Sequence, residues 1–237
     1  MAKVDDYRSR LAAMPTAEWV AFLGANSGLP GPRGNLELIH AVAEEADPAL
    51  LWAFAASDDE FLAACGAVGL GRLRAEGDLE SEATLHRLAA DPRWRVREGV
   101  AMALQRIGDV DIDLFVAITE RWAGDDSLLV CRAAIAGLCE PRLLGSPEIA
   151  RRALDVLDGV TVRIEAGTAE ERRSDAFRVL RQALGYCWSV AVAAVPVPGV
   201  ERFDRLRASP DRDVQWVVRE NLKKARMAKA LHSVGRD

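Results

Sequence analysis

Five acidic residues recur along the chain, and each is followed at fixed distances by residues of the same kind. An Arg or a small residue stands six positions after each acid, and an aliphatic residue stands three positions further on. The five sets are Asp59, Cys65, Val68; Asp91, Arg97, Val100; Asp126, Arg132, Ile135; Asp175, Arg181, Leu184; and Asp213, Arg219, Leu222. The acids are 32, 35, 49 and 38 residues apart, and a period of about 30 to 50 residues is typical of an α-solenoid. The sequence therefore predicts stacked helical repeats, with an insertion after the third acid.

The stretch Asp91 to Leu104 shows the pattern most clearly. A carboxylate such as that of Asp91 caps a helix by accepting from the free N–H groups of the first turn. Val96 and Val100 lie four residues apart, which indicates one buried helical face. We expect Arg97 to reach an Asp of a neighbouring repeat. Stacked repeats would then carry a ladder of Asp–Arg pairs, with these structural members: Asp91, Asp126, Arg181, Asp213 and Arg219.

This pattern resembles the HEAT repeat, whose second helix carries an Asp, a Val and then an Arg. Four repeats have an apolar residue before the Arg, as Val96-Arg97, Val218-Arg219, Cys131-Arg132 and Leu180-Arg181. The first repeat has Ala64-Cys65 instead, so we expect its rung of the ladder to be missing. The resemblance covers about residues 35 to 230. It implies an all-α fold, a right-handed α-α superhelix of about five helix pairs whose second helices line a concave face.

The sequence predicts a single domain over residues 1–237. Residues 1–27 are expected to form an N-terminal capping hairpin, because the end of a solenoid must cover a hydrophobic face. Residues 35–231 are expected to form the repeats and 232–237 a tail. Side chains typical of helix starts precede further predicted helices at Asn35, Asp47, Asp59, Ser81 and Ser174. Residues 159–167 alternate like a strand, but without a partner strand we interpret them as a frayed helix end or a loop.

Three glycines, Gly66, Gly69 and Gly71, lie on a helix predicted from Asp59 to about Arg74. Glycine in the middle of a helix costs about 1 kcal/mol relative to Ala. The segment has no preceding strand, which a phosphate-binding glycine loop would require. The three glycines therefore predict close packing between helices.

The composition indicates a protein outside the membrane. Half of the 237 residues are hydrophobic, yet no apolar run reaches the roughly 20 residues needed to cross a bilayer. The N-terminus lacks the apolar segment of a signal peptide, and four Cys do not make a disulfide framework. The three His residues are scattered, so we expect no metal site and no cofactor. The predicted location is the cytoplasm.

The charge is unevenly distributed. Residues 1–91 contain 7 Lys and Arg against 15 Asp and Glu, whereas the chain from Glu201 onward contains 10 against 6. This asymmetry could orient a polyanion, or the charges could simply solvate helix faces. The net charge of −5 favours the second interpretation, because nucleic-acid-binding modules are usually more basic.

Trp94, Glu98 and Arg132 form the one constellation with a chemical interpretation, and Arg97 lies beside them. Trp94 and Glu98 are four residues apart, hence on one helical face. They resemble residues of the HEAT-like DNA alkylation-repair glycosylases, in which an aromatic residue and a carboxylate line the cleft and an Arg follows about one repeat later. The resemblance implies that the ring attracts a cationic base, that Glu98 is the catalytic candidate, and that Arg132 holds phosphate. Alternatively, Trp94 and Glu98 are surface residues and Arg132 belongs to the ladder.

Two functions therefore stay open. The first is a non-catalytic HEAT-repeat scaffold that binds a protein partner through its concave face, which the ladder and the lack of a recognisable catalytic motif favour. The alternative is a DNA-binding protein of the alkylation-repair branch. If the chain is an enzyme, the resemblance implies a DNA alkylpurine glycosylase.

Overall fold

The computed structural model describes residues 2–31 and 33–235, and over these residues the protein is all-α, with fourteen α-helices and no strand. The helices are α1 (Ala2–Ala12), α2 (Trp19–Asn26), α3 (Leu36–Glu45), α4 (Pro48–Ala55), α5 (Glu60–Ala75), α6 (Leu79–Leu88), α7 (Trp94–Val110), α8 (Ile112–Ala123), α9 (Leu128–Leu138), α10 (Pro147–Glu165), α11 (Asp175–Ala194), α12 (Pro196–Arg207), α13 (Arg212–Leu222) and α14 (Ala225–Ser233). They fall into two compact units, of which the first ends at Asp111 and the second begins at Ile112. The single domain predicted for residues 1–237 stays a prediction. Residues 1, 236 and 237, at the ends of the predicted cap and tail, lie outside the described residues.

Helix α5 is the centre of the first unit. Residues 61–71 are buried on every side, because α3, α4, α6 and α7 pack around this helix and α2 contacts it as well. An all-round apolar sequence is what such a position requires. Asp59 caps α5 as predicted, since its carboxylate accepts from the N–H of Leu62 at 2.9 Å.

The glycines of α5 allow two neighbouring helices to approach its backbone. A Cβ atom at Gly66 would lie 2.1 Å from the main-chain nitrogen of Ala55 on α4, and one at Gly71 would lie 2.5 Å from the carbonyl oxygen of Ala103 on α7. Real Cβ atoms do not come this close to backbone. The predicted close packing of helices through these residues is confirmed.

The second unit is built from three consecutive helix pairs in two rows. Helix α10 packs against α8 and α12, while α11 packs against α9 and α13. The two rows meet inside the unit, where the indole N–H of the fully buried Trp188 donates to the hydroxyl of Thr161 at 3.1 Å. Asn221 on α13 is also fully buried. Its side-chain amide donates to the carbonyl of Leu184 at 2.9 Å and accepts from the N–H of Ser189 at 2.8 Å, both on α11.

The prediction of a frayed end or loop at residues 159–167 is wrong, because α10 continues to Glu165. Val160 and Ile164 are buried, whereas Val162 is 62% exposed. These positions therefore follow a helical face, and the alternation in the sequence does not reflect a strand.

Replacing Gly159 with Ala should stabilise the protein. Gly159 is exposed in the middle of α10, and a Cβ atom there would meet nothing within 4 Å. Because Ala restricts the unfolded chain, we expect the free energy of unfolding to rise by about 0.5–1 kcal/mol. Chemical denaturation followed by circular dichroism measures this change. A decrease would contradict the continuous helix.

Two further helix boundaries differ from the prediction. The sequence predicts one last helix from Asp213 to about Leu231, but α13 ends at Leu222 and α14 begins at Ala225, so the predicted tail 232–237 starts inside α14. The break directs α14 against α11 and α12. Ser81 does not cap α6, since the cap is Asp78, whose carboxylate also accepts from the Ser81 hydroxyl at 2.8 Å. Among the described residues, no helix combines the length and the apolar character needed to cross a bilayer.

Candidate functional site

Trp94 and Glu98 share an outward-facing side of α7, and arginines of the same helix contact both. Trp94 is 42% exposed, and the guanidinium carbon of Arg97 lies 5.6 Å from the centroid of its ring. The carboxylate of Glu98 accepts from the guanidinium of Arg95 at 2.8 Å. The predicted binding residues of α7 therefore lie together, and the charge of Glu98 is balanced by a neighbour on its own helix.

The start of α7 differs from the prediction, because Asp91 does not cap it. The helix begins at Trp94 with Arg93 as the N-cap residue. The carboxylate of Asp91 instead accepts from the N–H and the guanidinium of Arg93. Glu60 of α5 takes over the capping function, since its carboxylate accepts from the N–H of Arg95 at 3.0 Å. One N–H group of the first turn of α7 is thus satisfied by a side chain of α5.

Arg181 and Asp213, 32 residues apart in the second unit, form a rung of the predicted ladder. Only 5% of the Asp213 side chain is exposed, and its carboxylate accepts from Arg181 and, at 2.5 Å, from Arg172. The sequence reasoning missed Arg172, which lies in the inserted segment on a short 3-10 turn. Helix α13 is capped by Asp211, not by Asp213.

The other predicted ladder residues have different surroundings. Asp126 precedes α9, but the carboxylate that accepts from the N–H of Ser127 belongs to Asp125. The carbonyl of Asp126 accepts from Arg163. Arg132 lies on α9 of the second unit and is only 8% exposed, whereas Arg219 on α13 is exposed.

Asp211 makes the start of α13 sensitive to acid. Its carboxylate accepts from the N–H groups of Asp213 and Val214 and from the guanidinium of Arg172 at 2.8 Å. Partial burial raises the pKa of Asp211, but these hydrogen bonds outweigh it and bring the pKa below its usual 3.8. The resulting stabilisation is fully present above pH 3.8 and is lost as the pH falls through the lower pKa of the folded state.

The variant Asp211→Asn should lower the free energy of unfolding by about 1–2 kcal/mol at neutral pH, because the amide keeps a capping oxygen but loses the ion pair. The difference from the unmodified protein should shrink as the pH falls below 3.8. Urea denaturation over a series of pH values measures this. Asp175→Asn serves as the control, since the Asp175 carboxylate is 90% exposed. If the free energies of unfolding of Asp211→Asn and the unmodified protein differ by the same amount at every pH, the stabilising role of the ionised Asp211 carboxylate is contradicted.

A second aromatic cluster, which the sequence reasoning did not find, lies where α11, α13 and α14 meet. The guanidinium of Arg181 lies 4.7 Å from the ring centroid of Trp216, and that of Arg226 lies 4.9 Å from that of Tyr186. Tyr186 is 40% exposed. A Cβ atom at Gly185 would be 2.9 Å from the Trp216 ring, so this ring rests directly on α11.

A cavity of about 280 Å³ lies between α10 and α12. Its polar groups bind one another, since Glu165 accepts from the Ser209 hydroxyl at 2.6 Å and Asp158 pairs with Arg205 at 3.6 Å. Among residues 2–31 and 33–235, no three His, Cys, Asp or Glu side chains are grouped so as to hold a metal ion.

The comparisons with known proteins identify no family. No family model matches the chain, and no curated protein matches it. Three crystal structures of engineered proteins are similar. The first is 19% identical and covers 97% of this chain and 98% of its own, with a TM-score of 0.40. The second is 20% identical, covering 97% of this chain and 58% of its own at a TM-score of 0.39. The third is 16% identical, and the match covers 93% of this chain and 97% of the engineered protein, with a TM-score of 0.39.

Proposed function

We propose that this chain is a non-catalytic, HEAT-type helical-repeat protein that binds a protein partner. The observation that carries the proposal is a pair of tryptophan rings, one exposed and one partly exposed, each held against an arginine on a second helix. In the first unit this is Trp94 with Arg97, and in the second unit it is Trp216 with Arg181. Trp, Tyr and Arg are the residue types most enriched at the energetic centres of protein interfaces.

The packing of the second unit supports the repeat assignment. Second helices α9, α11 and α13 pack in succession, and the ion pair between Arg181 and Asp213 links two of them at the predicted register. In a HEAT-type superhelix such helices line the concave face, which is the usual binding surface of a solenoid. A partner on that face would meet the aromatic and arginine side chains first.

Affinity capture with the full chain tests this function. We expect a protein that binds after nuclease treatment and that, once purified, forms a complex of fixed stoichiometry with the chain by calorimetry. Trp94→Ala or Trp216→Ala should weaken that complex. Val197→Ala is the control, because Val197 is 72% exposed on α12, outside the row of second helices. The proposal would be overturned if nucleic acid alone were recovered, or if neither Trp variant changed the affinity of the complex.

The alternative is a DNA alkylpurine glycosylase. The observation in its favour is that Trp94 and Glu98 share one side of α7, and Trp94 is exposed. Against it, Arg97 lies over the ring where a cationic base would stack, and Arg95 neutralises the carboxylate of Glu98. Release of free base from alkylated DNA, abolished by Glu98→Gln, would establish this activity in place of the scaffold.

A further inference from the structure

We propose that the surface where α11, α13 and α14 meet binds an acidic protein segment that carries apolar side chains among its carboxylates. This inference rests on the proposed function, because it names the partner chemistry and one surface that recognises it. We call this surface the α11–α14 face, and its residues are Arg181, Tyr186, Trp216, Arg219, Lys223 and Arg226.

The α11–α14 face is continuous because three helices contribute to it side by side. Gly185 of α11 lies under α13, since a Cβ atom there would come within 2.9 Å of the Trp216 ring and 3.2 Å of the Cβ of Glu220. Tyr186 follows directly, and Arg226 of α14 covers its ring at 4.9 Å. The face thus presents two partly exposed rings, each with a guanidinium beside it.

The carboxylates of this region are already occupied. Asp213 is buried and binds Arg181 and Arg172, and Glu220 pairs with Lys223 at 2.5 Å. Within the described residues, Arg219 and Arg226 form no ion pair with a carboxylate. A surplus of positive charge therefore lies next to the two partly exposed rings, and this charge is complementary to an acidic segment.

Arg219 indicates how a partner's carboxylate would bind. It stands at the same position of the repeat as Arg181, six residues after the acid that marks each repeat. The guanidinium of Arg181 is held by the carboxylate of Asp213, but Arg219 is exposed. A carboxylate of the partner would form an ion pair with Arg219, as the carboxylate of Asp213 does with Arg181. Apolar side chains of the same segment would pack on Tyr186 and Trp216.

The charge of the whole chain favours a protein segment over a nucleic acid. With 36 Asp and Glu against 31 Lys and Arg, the chain repels a long polyanion, whereas a short segment senses mainly charges within a Debye length of about 8–10 Å.

Selection from a displayed library of random peptides on the immobilised full chain tests the inference. We expect the enriched peptides to combine Asp or Glu with Leu, Phe or Trp. Fluorescence anisotropy of a synthetic copy of the leading peptide should show at least about tenfold weaker binding to Arg219→Glu and to Arg226→Glu. Replacing the acids of that peptide with Gln should weaken binding similarly. The control variant is Arg151→Glu, an exposed arginine on α10, which should bind the peptide like the unmodified chain.

The outcomes separate this inference from the proposed function. Enriched peptides without acidic residues, no enrichment, or equal binding by Arg219→Glu and Arg226→Glu variants that melt normally would overturn the inference. Tighter binding of single-stranded oligothymidylate, lost in the same variants, would assign the face to nucleic acid. If a captured partner protein still bound both variants but not Trp94→Ala, the proposed function would stand while this face would not be the binding site.

Discussion

Gly66→Ala should lower the free energy of unfolding by about 3 kcal/mol or more. The new methyl group would lie 2.1 Å from the main-chain nitrogen and 2.6 Å from the Cα atom of Ala55. Because both atoms belong to the backbone of α4, no side chain can rotate away, and α4 and α5 must separate. Overpacking in a well-packed core costs about 1–3 kcal/mol, and more where the backbone has to move. The separation would also loosen the apolar shell around residues 61–71.

Gly24→Ala is the matched control for this substitution. Gly24 lies on α2 of the same unit, and a Cβ atom there would meet nothing within 4 Å. It should leave stability unchanged or raise it by up to about 1 kcal/mol. Guanidinium denaturation gives the free energies, and hydrogen exchange locates the change, which should appear in α4 and α5. A Gly66→Ala protein as stable as the unmodified chain would mean that the two helices do not pack through Gly66.

Asn221→Leu should lower the free energy of unfolding by about 3 kcal/mol. The leucine keeps the number and branching of the side-chain heavy atoms, although its methyl groups are bulkier, and it removes the amide that binds the carbonyl of Leu184 and the N–H of Ser189. Asn221 is fully buried, so water cannot replace the lost partner. Leaving a buried donor or acceptor unsatisfied costs about 1–3 kcal/mol per group. The connection between α11 and α13 should weaken accordingly.

The amide hydrogen of Ser189 is a direct reporter of this bond, because it should exchange much faster in the Asn221→Leu protein. Asn26→Leu is the control substitution. The Asn26 amide donates to the carbonyl of Phe22 on its own helix and is partly exposed, so its loss should cost less than about 1 kcal/mol. Unchanged exchange at Ser189 would contradict the bridging role of Asn221.

Helix starts were predictable where a side chain binds its own main chain. Asn35, Asp47, Asp59 and Ser174 cap α3, α4, α5 and α11 as predicted, each accepting from an N–H group three residues further on. Such contacts depend only on neighbouring residues, so the sequence contains the whole interaction. The start of α7 was not predictable in this way, because Glu60 of another helix satisfies the N–H of Arg95.

The candidate site was predictable only where the repeat register holds. The pair Arg181 and Asp213 follows from the fixed offset within each repeat. Arg172 lies in the insertion, where no register applies, and its contact with Asp213 spans 41 residues. The stack of Arg226 on Tyr186 depends on the break between α13 and α14, which a single predicted helix over 213–231 concealed.

The central position of α5 also constrains how the first unit is completed during translation. Residue 71 leaves the ribosome about 40 residues ahead of the end of α7, which at roughly 5–20 residues per second is a delay of several seconds. Throughout that interval the apolar side of α5 that later receives Ala103 has no cover. Nascent chains that end before Trp94 should therefore be preferred chaperone clients, and those that extend past Val110 should not.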